Sequence, residues 1–534
     1  MQRRSFLKAT ASGLVAGGMA AAAPFTLRHA AAQDRSGVLV WGGNLSSGLD
    51  PHAVYDVPSA FTRANLYDSL YEYSGAPPSA VPTLVESYTV SNDSRTFEFT
   101  LRDDVMFHDG TVLEADDVVY SFQRVLALSK GPASTFSPVL TSESITAVDP
   151  RTVRFELIET FAPFLSALPM VAILNKELVE ANTVDGDWGE VWLSSNDAGS
   201  GPYQVVEGSF VPLDRLDLKR FPGYFRGFSS PNPIEEVRVR PVKDDATRIF
   251  AVLSGDIDTT YGYIRAEDHS RIEEAENVRL SREPAFRTFL LRMHNGRPPT
   301  NNVHFRRAIS WAFPYDMFID LLLLGAVTRN PGPIPASLWG SPTDLEGYSH
   351  NMEKAAEELE LAKADGVDIT APFTFLALVG FDETEQAAQM LQSELRKLGV
   401  TMTIEKALWA NASASTNALE TSPQIWAHWG SSYLIDPDNW IGQFYSRAAL
   451  GSQRGSSWYD DAEVQDMIAN ARSVLDQSQR EAIYEEISRA MVDQAVDVWI
   501  YNSQTFRAIN TRVQGYKPAA VGDAVALREM WLEG

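Results

Sequence analysis

The segment LRDDVMFHDG, residues 101–110, runs directly into TVLEADDVVYSF, residues 111–122. A strand leads into it, because residues 96–101 alternate polar with apolar side chains. Asp109-Gly110 then favours a turn. A helix is predicted next, because apolar residues recur at helical spacing behind an acidic first turn. The apolar residues are Val118, Phe122, Val125 and Leu126, and the acids are Glu114, Asp116 and Asp117. Strand, turn and helix in succession predict a mixed α/β fold.

The same mixture continues along the chain after this segment. Strand patterns recur at residues 152–157, 400–404 and 496–501. Helical patterns occupy residues 387–398, 462–475 and 479–495, and Gly399 is the expected C-terminal cap of the first. Helices followed directly by strands predict α/β lobes.

Composition limits the classes of protein to consider. The 534 residues are 44% hydrophobic and 22% charged, which is ordinary for a globular protein. At roughly 100 to 200 residues per domain, the length predicts two or three cores and a cleft between lobes. Seventy acids against 45 bases give a formal charge of -25, which argues against nucleic acid as a partner. The absence of cysteine excludes disulfides, thiolate metal sites and cysteine nucleophiles.

Residues 1–32 have the layout of an export signal. They hold no acid and four bases, with an apolar run of small residues between them. Arg3-Arg4 opens a segment that resembles the twin-arginine export motif, and Ala30-Ala31-Ala32 offers a cleavage site. We therefore predict a twin-arginine signal peptide cleaved near Ala32 and a periplasmic protein. An uncleaved anchor is the alternative, although glycines and a proline interrupt the run.

Several motifs, in matching order along nearly the whole chain after residue 32, resemble one family. The most specific is the opening segment, residues 101–122, which LRDDVMFHDG begins. The others are PTLVESY (82–88), LDPH (49–52), LYDSL (66–70), GSGPY (199–203), LSGDID (253–258), FRRAI (305–309) and DPDNW (436–440). Together they resemble the dipeptide, oligopeptide and nickel-binding family of extracellular solute-binding proteins, which serve ABC importers.

This resemblance implies an α/β, two-lobed periplasmic-binding-protein-like fold with an extra subdomain inserted in the first lobe. We assign residues 33–285 plus 505–534 to lobe 1, 82–195 to the inserted subdomain and 286–504 to lobe 2. The expected activity is binding without catalysis or a cofactor: the lobes close on a small organic solute, and a monomer presents it to an ABC permease in the inner membrane.

Residues 426–433, WAHWGSSY, are the first candidate for the ligand site. In an extended segment, Trp426 and His428 point one way while Trp429 and Ser431 point the other. The resemblance places this stretch at the cleft, where peptide-binding members carry an aspartate for the ligand's α-ammonium. Ser432 stands there in this chain. A buried ammonium without a counter-charge is costly, so the ligand classes left open are opines, sugars and modified peptides.

Other cleft candidates are loop or strand-end residues, where ligand contacts tend to occur. They are Tyr433, Trp409, Tyr501, Asn502 and, in the loop after the first strand, Asn44 and Ser46. Arg287 and Arg292 bind either a ligand carboxylate or a neighbouring acid. Asp50-Pro51 and Asp436-Pro437 have the pattern of helix starts, and His108-Asp109 that of a turn.

Three alternatives remain. An exported enzyme lacks support, since the chain has no nucleophile-elbow, zinc-helix or phosphate-loop motif. A nickel chelate held through His428 or another lone histidine is the second, although no histidine spacing matches a common metal motif. A binder that signals to a receptor is the third.

Overall fold

The computed structural model describes residues 35–75, 77–518, 520–522 and 524–533. The predicted signal peptide lies outside the described residues. The fold described below is that of the unit formed by residues 37–534.

Strands and helices alternate along this unit. The strands are β1 (Val38–Gly42), β2 (Tyr71–Ser74), β3 (Ser79–Pro82), β4 (Val85–Val90), β5 (Thr96–Leu101), β6 (Ile145–Asp149), β7 (Thr152–Glu156), β8 (Tyr203–Val205), β9 (Leu216–Arg220), β10 (Glu236–Val239), β11 (Thr259–Thr260), β12 (Val278–Met293), β13 (Thr328–Arg329), β14 (Phe373–Leu378), β15 (Met402–Ala407), β16 (Ile425–Ser431), β17 (Asp497–Asn510), β18 (Val513–Gln514) and β19 (Trp531–Leu532). The α-helices are α1 (Ser59–Leu66), α2 (Ala115–Leu128), α3 (Ala133–Phe136), α4 (Phe164–Ala167), α5 (Lys176–Ala181), α6 (Glu190–Leu193), α7 (Asp245–Ser254), α8 (His269–Glu273), α9 (Val303–Ala312), α10 (Met352–Ala364), α11 (Asp382–Lys397), α12 (Trp409–Ser415), α13 (Gly442–Tyr445), α14 (Ala462–Ser473) and α15 (Gln477–Asp493).

One long sheet organises the molecule. Its order is β15-β14-β16-β12-β17-β11-β1-β10-β9-β8, with β13 added on β17. A hydrophobic core around Phe289 and Phe375 covers the β14 side, and another around Leu39 and Val237 covers the β1 side. Strand β17 contributes to both cores. The architecture is therefore two α/β lobes that share one sheet.

The antiparallel pair of β12 and β17 links the two lobes. Residues 278–284 pair with 504–510, and residues 288–292 pair with 497–502. The register is irregular between Pro284 and Thr288. The predicted lobe boundaries at 285/286 and 504/505 fall at this interruption, and they stay a prediction.

Residues 101–122, with the strand that leads into them, fold as their pattern predicts. Strand β5 ends at Leu101, Gly110 turns with φ +88°, and α2 begins at Ala115. Glu114 and Asp117 form a reciprocal capping box at the start of α2. The helix packs on the sheet β4-β5-β7-β6 around a phenylalanine-rich core that includes Phe99, Phe122 and Phe155.

The later helices match their predictions within a few residues, whereas the strand predicted at 496–501 is too short. Strand β17 continues to Asn510, because residues after 501 pair with the polar half of β12 between the lobes, where apolar alternation is lost. Asp436 caps a 3-10 helix with Pro437 at its first turn, as predicted. Asp50 does not begin a helix: its Oδ1 accepts amide protons from His52 and Ala53 and pairs with Arg124. Among the described helices, none is long and apolar enough to span a bilayer.

Candidate functional site

The candidate site is built on an open edge of β16. On one side, residues 425–431 pair with β12 in continuous antiparallel register. On the other side, β14 pairs with β16 only at Ile425 and Trp426. Beyond that point no described strand pairs with this side of residues 427–431, although β14 itself continues to Leu378. We call residues 427–431 the open edge. At the end of this edge, the Ser431 carbonyl accepts a hydrogen bond from the side-chain amide of Asn439 at 3.1 Å.

The side chains of this strand alternate between two faces, as the sequence predicts. Trp426 and His428 stand opposite Arg292 and Leu290 on one face. Trp429 stands opposite Phe289 on the other.

The first face carries a cluster of three rings, in which His428 and Trp426 are stacked and Trp409 is tilted against them. The rings of His428 and Trp426 are 4.2 Å apart, and Trp409 lies 5.9 Å from Trp426. Trp426 is only 1% exposed, and its Nε1 donates to the Ser456 hydroxyl at 3.1 Å. Trp409 is 43% exposed. Trp426 is therefore the buried member of the cluster, and Trp409 is its solvent-facing member.

His428 is neutral in this environment. Burial, followed by the nearby charge of Arg292, lowers its pKa to about 3. Nδ1 lies 3.1 Å from the Trp429 carbonyl oxygen, so it carries the proton and donates it. Nε2 is then an acceptor, and it is buried without a partner among the described residues.

The second face carries a hydrogen-bonded chain of aromatic side chains. Trp429 donates from Nε1 to the Tyr501 hydroxyl at 3.2 Å, and Tyr501 donates to Glu383 at 2.9 Å. Tyr263 donates to the other oxygen of Glu383 at 2.8 Å. The guanidinium of Arg287 lies 4.7 Å from the Trp429 ring centre. Burial and then the carboxylate of Glu383 raise the pKa values of both tyrosines.

Ser432 and Tyr433 follow the open edge. The Ser432 hydroxyl donates to the Ala520 carbonyl at 3.3 Å. The acids that follow in sequence already form ion pairs within the protein. Asp436 pairs with Arg480 and Asp438 pairs with Arg472, at 2.7 Å each. The Tyr433 ring lies 5.8 Å from that of Tyr55.

The remaining predicted residues lie in different places. Buried Ser46 donates to Asp56 at 2.7 Å, and with half-buried Asn44 it belongs to the loop that carries Tyr55. Asn502 is buried opposite Thr288, and its Oδ1 has no partner among the described residues. For Arg292, the structure supports the second of the two predicted partners, a neighbouring acid: it is 1% exposed and pairs with buried Asp497 at 3.4 Å.

Sequence reasoning missed the apolar rim of the open edge. Phe381 is 42% exposed, with its ring 5.5 Å from Trp429. Val379 and Leu408, which directly follow β14 and β15, are also exposed. The available signal was the run of apolar residues that continues past the turn at Gly380, just after a buried strand. Within the described residues, no group of three His, Asp or Glu side chains is arranged to hold a metal ion.

Comparisons with known proteins agree with this architecture. The family model for bacterial extracellular solute-binding proteins, family 5 (middle), matches residues 79–452. The probable D,D-dipeptide-binding periplasmic protein of Escherichia coli is 29% identical, over 81% of each chain.

Two solved structures share the fold. An ABC transporter-associated periplasmic binding protein from Helicobacter pylori, in complex with the peptide STSA, superposes with a TM-score of 0.80 at 24% identity, covering 93% of this chain and 98% of that one. A binding protein from A. tumefaciens R10, in complex with agropinic acid, gives a TM-score of 0.76 at 23% identity, covering 93% and 99%. With a family model that matches most of its length, this chain belongs to the bacterial extracellular solute-binding proteins of family 5.

Proposed function

We propose that this protein captures a peptide-like organic solute between its lobes and delivers it to an ABC permease in the inner membrane. The observation that carries the proposal is the open edge of β16, with an aromatic side chain at each face. The peptide ligands named for its relatives point to the same class of solute.

An open strand edge suits an extended solute. Half of its backbone N–H and C=O groups point away from β12, and a peptide-like main chain can pair with them. Successive side chains of such a solute then alternate between the two faces. One meets Trp409 and His428, and the other meets Trp429 and Phe381. Main-chain pairing supplies affinity, while the two aromatic surfaces supply selectivity.

Closure of the lobes completes the site in this proposal. The irregular register between Pro284 and Thr288 gives β12 a natural bending point. On either side of it, Tyr263 from predicted lobe 1 and Glu383 from predicted lobe 2 meet at 2.8 Å. A solute buried only in the closed form converts binding into a shape that a permease can recognise.

We also propose that the protein folds before twin-arginine export through residues 1–32, that it is a monomer and that it does not catalyse a reaction. All three properties are consistent with a binding protein. An opine, a sugar or a nickel chelate as the ligand is an outcome that the following experiment distinguishes.

The test is a thermal-shift and calorimetric screen against dipeptides, oligopeptides, opines, oligosaccharides and nickel chelates, followed by variants. A ligand at about 100 times its Kd stabilises the native state by about 2.7 kcal/mol, which a melt detects. Trp409→Ala should weaken binding of the hit about tenfold or more, since it removes an exposed aromatic contact. Leu475→Ala is the control, because Leu475 is also exposed, at 50%, but lies outside the site. A hit from a non-peptide class, or a Trp409→Ala variant that binds as well as the control, contradicts the proposal.

A further inference from the structure

The main-chain groups of β16 alternate between the two sides of the strand. The Gln424 carbonyl, just before β16, accepts a hydrogen bond from the His294 amide, just after β12, at 2.9 Å. The even-numbered residues of 426–430 therefore also present their N–H and C=O groups to β12. The odd-numbered residues of 427–431 present theirs to the opposite side, which is the open edge. These residues are Ala427, Trp429 and Ser431.

The last two carbonyls of the open edge are occupied by side chains of the protein. Nδ1 of His428 donates to the Trp429 carbonyl at 3.1 Å, and the side-chain amide of Asn439 donates to the Ser431 carbonyl at 3.1 Å. Asn439 is fixed in turn, because its Oδ1 accepts the main-chain amides of residues 433–434 at 3.1 and 3.3 Å. The side chains of His428 and Asn439 are fully buried. Both carbonyls are thus held by fixed parts of the fold.

The N–H groups of the same two residues, Trp429 and Ser431, stay open. In the part of the chain that the structure describes, no loop, helix or side chain accepts a hydrogen bond from either amide. The two amides are two residues apart, which is about 6.8 Å in an extended strand. Strand β14 does not reach them, since its Leu378 amide donates to the Thr384 hydroxyl at 2.9 Å.

This polarity limits what a solute can place at the end of the edge. An ordinary strand edge offers donors and acceptors in equal number, whereas residues 429–431 offer two free donors beside two occupied carbonyls. A carbonyl oxygen of the solute finds a donor there. An ammonium group finds none of the acceptors it needs, and its burial without them is costly. Asp436 and Asp438 cannot compensate, because each already forms an ion pair within the protein.

We propose that His428 and Asn439 determine the specificity of the open edge. By occupying its last two carbonyls, they make residues 429–431 a surface of N–H donors. Such a surface selects a solute that presents carbonyl oxygens there and disfavours one that presents an ammonium group. Neither side chain has to touch the solute, since each acts through the carbonyl that it holds. The inference rests on the proposed function and specifies its ligand class as peptides whose amino group is acylated.

The experiment offers the purified protein equimolar mixtures of random dipeptides in three forms: with a free amine, with hydrogen in place of the amine, and with a formylated amine. The captured compounds are released by denaturation and quantified by mass spectrometry. The formylated form should be enriched about fivefold over the hydrogen form of the same dipeptide, because it adds one carbonyl acceptor. The free-amine form should be captured least, because its charge has no acceptor.

Two variants test the two side chains. Asn439→Asp keeps the acceptor for residues 433–434 and replaces the donor to Ser431 by a carboxylate oxygen, so the free-amine form should become the preferred one. His428→Phe keeps a ring beside Trp426 and frees the Trp429 carbonyl to accept a solute N–H. The lead of the formylated over the free-amine form should then shrink about threefold or more.

Asn301→Asp is the control for an added charge. Asn301 is exposed just before α9, and its variant should keep the order of the unmodified protein. Melting temperatures without ligand separate binding from folding. Asn439→Asp should melt below the unmodified protein, because it loses a buried hydrogen bond, and free-amine dipeptides should raise its melting temperature most. If this variant does not fold, His428→Phe decides the outcome.

Three results overturn the donor surface but leave peptide binding intact. They are equal capture of the formylated and hydrogen forms, preference of the unmodified protein for the free amine, and an order that neither variant changes. Capture of none of the three forms contradicts the proposed function as well.

Discussion

Tyr263 donates its hydroxyl hydrogen bond to Glu383 at 2.8 Å, and so ties the segment before β12 to the first turn of α11. Glu383 is shared, since Tyr501 donates to its other oxygen at 2.9 Å. Glu383 thus accepts hydrogen bonds from Tyr263 in predicted lobe 1 and from Tyr501 in predicted lobe 2, and we call these two bonds the latch. In the proposed function, the latch stabilises the closed form of the two lobes.

Loss of the latch should weaken ligand binding. Tyr263→Phe removes one hydrogen bond to a charged group on a partly exposed side chain, so we expect about a 2- to 10-fold rise in Kd. Calorimetric titration with the hit of the ligand screen measures it. Tyr88→Phe is the matched control, because Tyr88 is 44% exposed on β4, away from the latch. Equal affinity of the two variants would mean that the Tyr263–Glu383 contact does not contribute to closure.

Trp409 and Trp426 should separate binding from stability. Trp426→Ala removes a side chain that is only 1% exposed, leaves a cavity and loses a hydrogen bond to Ser456. The free energy of unfolding should therefore fall by about 3–5 kcal/mol. Trp409→Ala should cost far less stability because the side chain is 43% exposed. Urea unfolding of both variants gives the comparison, and similar losses would contradict the assignment of Trp426 to the core.

Asp436 should contribute to the stability of the fold and not to the binding of a charged group of the ligand. Its carboxylate makes two hydrogen bonds with Arg480, at 2.8 and 2.7 Å, and both groups are buried. Asp436→Asn leaves a buried arginine uncompensated and should lower the free energy of unfolding by about 3–5 kcal/mol. Asp93→Asn, in an exposed pair with Arg95, should change it by less than about 1 kcal/mol. A mild effect at position 436 would show that solvent reaches the pair.

Burial of neutral His428 should make the free energy of unfolding depend on pH. The pKa of His428 falls from 6.5 to about 3 on folding, so the unfolded chain binds its proton first as the pH drops. Its contribution to stability is full above pH 6.5 and decreases as the pH falls towards 3. His428→Gln should therefore flatten the slope of unfolding free energy against pH by about 1.4 kcal/mol per unit between about pH 6 and 4. Denaturant unfolding at several pH values measures this, and a parallel profile for the variant would contradict a neutral buried imidazole.

Local patterns predicted a good part of this molecule. The β5-turn-α2 unit and the alternation in β16 follow from residues adjacent in sequence, so their periodicity was sufficient. Partnerships across the chain were not predictable in this way. Arg292 of β12 pairs with Asp497 of β17, and the open edge exists only because β14 pairs with β16 no further than Trp426.

The most direct test of the central claim, that a peptide-like solute binds along the open edge of β16, is hydrogen–deuterium exchange. The protein is compared with and without dipeptides from the ligand screen. The account predicts slower exchange of backbone amides in residues 427–433 when the dipeptides are bound. A ligand-induced rise in melting temperature without added protection there would contradict it.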